Sequence, residues 1–95
     1  MSKFIIITTR TRKGALKVSE YVTANRWLRN SVVDAAIFAS KDEAAAISAR
    51  VNGSQVLEIS DDLATQIADA ATDKTDSYAE KTDAAHDSVN ALLAA

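Results

Sequence analysis

The chain has 95 residues, 47% of them hydrophobic and 25% charged, with no cysteine, no proline, a single histidine and a formal net charge of −2. Such a length holds one small domain whose core is only marginally self-sufficient, so association would add stability. The lack of cysteine excludes a disulfide framework, a thiolate metal site and a cysteine nucleophile, and it fits a reducing compartment.

The unbroken apolar run Phe4 to Ile7 is far below the roughly 18 residues a membrane span needs, as is every other apolar run in the chain. With no leader-like pattern before it, the expectation is a soluble, unexported, cytoplasmic protein. Residues 3–9, KFIIITT, are short, β-branched and apolar, the profile of a buried strand. RTRKG follows as a turn in which Gly14 takes the positive φ that tight hairpins require. ALKVSEYV then alternates apolar and polar residues until the phase slips near Glu20 and brings Tyr21 beside Val22. That slip marks a bulge or a strand end, and a helix starting near Ser19 competes with the hairpin.

Further on, Ser40 and Glu43 form a capping box that opens a helix running through Ala44 to Val51, with Asn52-Gly53 as its left-handed stop. SQVLEI, residues 54–59, reads as a strand. The fold class is therefore α+β: a ββαβ domain over 1–60, with one helix on a three-stranded sheet, then an acidic, Ala-rich helical segment over 61–95. Ser60 caps that segment, Asp61 and Asp62 complement the helix dipole, and Leu63 and Ile67 dock its start onto the domain.

The run YVTANRWLRNSVVDAAIFASKDEA, residues 21–44, resembles a pattern found in small phage-encoded accessory proteins. The residues that carry it are Tyr21, Thr23, Trp27, Ala35, Phe38, Ser40, Glu43 and Ala44. It covers about a quarter of the chain and implies a ββαβ scaffold. It also implies a product that acts on a host system, as anti-CRISPR and other anti-defence proteins do. No functional residue follows from it, and the acidic segment lies outside it.

Charge is segregated along the chain. Residues 1–31 carry seven basic residues against Glu20, a balance of +6, and residues 61–95 carry eight acids against Lys74 and Lys81, a balance of −6. On a helix, Asp62, Gln66, Asp69, Asp73, Asp76, Glu80, Asp83, Asp87 and Asn90 form one stripe at spacings of four and three, with Ala71, Tyr78, Ala85, Val89 and Leu92 on the opposite side. Neither lysine has an acid three or four positions away, so the stripe is not neutralised within its helix.

Two geometries follow. A continuous helix would be about 50 Å long and would overhang a domain whose radius of gyration is about 10 Å. It would need a partner, and pairing through Ala71, Tyr78, Ala85, Val89 and Leu92 makes a homo-oligomer, first of all a dimer, the expectation. A break near 73–77, where Ser77 and Glu80 offer a second capping box, would instead give two helices folded back on each other.

No catalytic or cofactor motif is present. His86 has no second histidine or cysteine with which to bind metal, and no phosphate-binding glycine loop exists. The expectation is a non-enzymatic binding protein without cofactor or metal, an inhibitor or adaptor of a host protein. Its partner contacts are Asp69, Asp73, Asp76, Glu80, Asp83 and Asp87 on the acidic face, or Arg10, Arg12, Lys13 and Trp27 on the basic half. The alternatives are a self-assembling module and a nucleic-acid binder that uses the basic hairpin.

Overall fold

The computed structural model describes residues 2–94 and has an antiparallel sheet in the order β3-β2-β1-β4. Strand β1 (Lys3–Arg12) lies between β2 (Ala15–Val22) and β4 (Ser54–Ile59), and a separate core covers each of its faces, which explains its unbroken apolar run. Ile5 and Ile7 face one core with Val18, Tyr21, Val32, Ile59, Leu63, Ile67, Ala85 and Val89. Phe4 and Ile6 face a second core with Val22, Phe38 and Ala44.

The expected β1–β2 hairpin forms, turning through Lys13 and Gly14 at φ of 53° and 80°. The phase slip is a bulge. Thr8 pairs with Glu20 and Thr9 with Val18, so Ser19 is the extra residue. This puts Val18 and Tyr21 on one face despite their odd separation and sends Val22 to the other.

One expectation fails at the third neighbour. The sheet has four strands rather than three, because Leu28–Arg29 (β3) pairs with Val22 and Tyr21. A two-residue strand has no periodicity to read. A 3-10 turn at Val32–Asp34 follows, burying Val32, and the chain then crosses to Phe38, whose backbone bridges Phe4.

Helix α1 (Lys41–Ser48) starts where expected, with the Ser40 hydroxyl accepting the Glu43 N–H. It ends short of Val51, loosening through single turns into Gly53 at φ 78°. Helix α2 (Asp61–Thr72) is capped by Ser60, which accepts the Leu63 N–H.

The expected continuous helix does not form. The chain breaks over residues 73–77, and helix α3 (Tyr78–Ala94) folds back against α2 and onto β2. The protein's radius of gyration of 12.6 Å matches the roughly 12 Å of a compact chain this long, so the helical segment does not overhang the sheet. The break is built by Asp73, whose carboxylate accepts both the backbone N–H and the hydroxyl of Thr75. The Thr75 hydroxyl oxygen in turn accepts the Ser77 N–H. This local bonding competes with helix continuation. The residues assigned to two segments share one core, since Leu63, Ala64, Ile67, Ala85 and Val89 pack against Ile5, Ile7 and Tyr21.

Candidate functional site

Beyond the buried part of the sheet, the hairpin continues as an arm in which every residue from Arg10 to Lys17 is exposed. Arg10 and Lys17 are direct cross-strand partners, and Arg12 lies two positions along from Arg10, so three cations share one face. Lys13 holds a left-handed conformation at the turn, where asparagine or glycine would be less strained. The lysine keeps a fourth cation at the tip. None of the four makes an ion pair with a described residue.

At the other end of β2, a turn through Arg26, also left-handed at φ 67°, delivers Trp27 into solvent. The tryptophan is 64% exposed, yet its backbone is fixed: its carbonyl accepts the Thr23 N–H, and its N–H donates to the Thr23 hydroxyl. The Arg29 guanidinium lies 5.7 Å from the ring centroid, and Arg26 lies 5.9 Å from that of Phe38. Trp27 and Arg29 line a shallow cleft of about 720 Å³ with Asn25, Asp34 and Ala36.

Among the eight residues of the phage-protein pattern, seven build the scaffold. Tyr21, Phe38 and Ala44 are buried, Thr23 and Ala35 form a bridge, Ser40 caps α1, and Glu43 supplies the capped N–H. Trp27 is the large hydrophobic among them that stands exposed.

A second cleft of about 720 Å³ lies beside β2, between α3 and the base of the arm. Its walls are Arg10, Arg12, Lys17, Ser19 and Glu20 from the hairpin, Asn30 beyond β3, and His86, Asp87 and Asn90 from α3. Asn90 Oδ1 accepts the N–H of Val18 at 2.9 Å, satisfying a donor next to the bulge. The hydroxyl of fully buried Tyr21 lies 2.7 Å from His86 Nδ1. Burial pushes the Tyr21 phenol well above its ordinary range.

The acidic stripe is divided by the break. Lys81, which has no acid three or four positions away, reaches across the break and bridges Asp69 at 3.2 Å and Asp73 at 2.9 Å. Hydrogen bonds from Thr75 and then Lys81 hold the Asp73 carboxyl down at about 2, and the same contacts raise Lys81. Asp76, Glu80 and Asp83 are exposed, and Asp87 lines the cleft.

Of the residues assigned to an oligomer seam, Ala85 and Val89 are wholly buried in the protein's own core and out of reach of a second copy, while Ala71, Tyr78 and Leu92 remain exposed. No three potential metal-ligating side chains converge among the described residues.

Sequence reasoning singled out Arg10, Arg12, Lys13 and Trp27, and all are exposed. It missed the roles of Lys17, Arg29, Tyr21, His86 and Asn90. The Arg10–Lys17 pairing follows from the hairpin turn alone. The Tyr21–His86 contact joins residues 65 apart and depends on how α3 docks, for which no local signal exists. No protein-family model, no curated protein and no solved structure matches this chain.

Proposed function

We propose that this is a non-enzymatic protein that acts by binding, as an inhibitor or adaptor of a host protein, and that it docks through the basic edge of its sheet. The observation that carries this reading is Trp27, an exposed tryptophan on a hydrogen-bonded turn with Arg29 against its ring. Tryptophan and arginine are the residues most enriched among interface hot spots, and a fixed backbone lowers the ordering cost of binding.

Trp27 and the arm lie at opposite ends of β2, roughly eight residues or about 26 Å apart at about 3.3 Å per residue. A standard interface of about 800 Å² per partner is about 30 Å across, so one partner covers both. The partner surface is acidic, matching Arg12, Lys13, Arg26 and Arg29. Asp69, Asp73, Asp76, Glu80, Asp83 and Asp87 rank behind this edge, because Lys81 already engages two of them.

The test is affinity capture from a host lysate with the full chain, the Trp27→Ala chain, and a chain in which Asp76, Glu80 and Asp83 are changed to Asn or Gln. A discrete partner that is lost with Trp27→Ala and kept with the acidic-face variant is expected. The reverse pattern moves the site to the helices.

The number of unpaired cations along the edge favours nucleic acid as a second reading. A salt titration against labelled single-stranded DNA decides it, since phosphate binding weakens steeply as salt rises. A salt-insensitive or absent signal removes that reading.

A further inference from the structure

We infer that the cleft between the arm and α3 is a binding site for the phosphate group of a nucleotide-sized phosphate monoester. Tyr21 is fully buried and its hydroxyl has His86 Nδ1 as its partner, so the O–H is satisfied only by donating to that nitrogen. His86 Nδ1 is then the acceptor, and Nε2 carries the ring's proton. Asn90 is oriented by the same logic. Its Oδ1 accepts the Val18 N–H, which leaves the amide NH₂ as the group it offers. The wall supplied by α3 therefore presents donors: an imidazole N–H and a carboxamide NH₂.

The opposite wall presents cations. Arg10 and Lys17 face each other across the hairpin with Arg12 beside them, and like charges so placed destabilise a sheet. No described carboxylate pairs with them, although Glu20 and Asp87 line the same cleft. An oxyanion held between the two walls would relieve that repulsion and satisfy donors from both, with guanidinium groups suited to phosphate oxygens.

Three cations against two carboxylates leave a small positive balance, so the site is not a general polyanion trap. Glu20 and Asp87 are acceptors for hydroxyl or amino groups, which the sugar and base of a nucleotide provide. The volume of about 720 Å³ falls within the range of small-molecule sites.

The experiment is an NMR titration of the full chain with adenosine 5′-monophosphate, inorganic phosphate and adenosine, following the backbone amides of Val18, Ser19, Asn30 and Asn90. Saturable shifts at these positions are expected with the nucleotide and, more weakly, with phosphate. Adenosine should be weaker than the nucleotide by about tenfold or more. Arg10→Gln should weaken nucleotide binding by a similar factor.

Asn90→Asp is the decisive variant. Its carboxylate still accepts the Val18 N–H, so the melting temperature should hold, while the donor becomes an anion and binding should be lost. Trp27→Ala should bind the nucleotide like the parent, which separates this site from the Trp27 end of the partner surface. Absence of saturable shifts, equal binding of adenosine, or parent-like binding by folded Asn90→Asp overturns the assignment.

Discussion

Thr8 buries its hydroxyl oxygen with no hydrogen-bond partner among the described residues, on a central strand beside the bulge. Thr8→Val keeps the shape and removes the stranded oxygen, so it should stabilise the protein by about 1 kcal/mol, read from the urea midpoint. Tyr21 is the opposite case. Its ring fills the core while its hydroxyl ties the sheet to α3, so Tyr21→Phe should cost about 1 kcal/mol and loosen α3 in hydrogen exchange. An unchanged exchange profile would mean that the hydroxyl does not anchor the helix. Lys13 shows how far a single residue is legible. The hairpin turn and its glycine were evident from RTRKG, but the left-handed strain on Lys13 follows from which residues occupy the turn's centre.

At the scale of elements, the junction between α2 and α3 is held by Asp73, whose side chain is only 4% exposed and which contacts Thr75 and Lys81 together. Its folded value lies below the roughly 3.9 of an unfolded aspartate, so its contribution is complete above that value and is lost as pH falls toward about 2. Lys81 is raised, so its contribution is complete below the ordinary lysine value and lost as pH rises beyond it. Urea midpoints of the parent should therefore fall between pH 5 and 2 by more than those of Asp73→Asn, and matching profiles would exclude Asp73 as a source of acid sensitivity. The sequence offered Ser77 and Glu80 as the signal for a break here. The break occurs, but the Ser77 hydroxyl makes no cap, and the turn belongs to Asp73 and Thr75. Local composition placed the weak point within a few residues. The choice between one helix and two was made by α3 finding the sheet, where Ala85 and Val89 are fully buried.

For the whole molecule, the consequence is that residues 61–94 are part of the fold rather than an appendage. A chain ending at Ser60 would expose Ile5, Ile7, Val18 and Tyr21 together. It should lose cooperative unfolding by circular dichroism, and a stable folded fragment would show that the ββαβ part is self-sufficient. The same packing sets the charges. The +6 and −6 ends of the chain come together at the cleft, where Asp87 lines the same walls as Arg10, Arg12 and Lys17 without an ion pair to a described residue, and again where Lys3 helps to lower the Asp61 carboxyl. By itself the sequence determined strands at 3–9, 15–22 and 54–59, the caps at Ser40 and Ser60 and the turn at Gly14, and it marked a bulge or strand end near Glu20, because each rests on propensity, period or capping within a few residues; the extension of the first strand to Arg12 came from the structure. Only the tertiary structure decided that Leu28–Arg29 would pair as a fourth strand, that the acidic segment would fold back, and that His86 and Asn90 would meet β2. Those contacts join residues far apart in the chain, and burying the apolar faces of α2 and α3 on the sheet adds to the local break that Asp73 and Thr75 make.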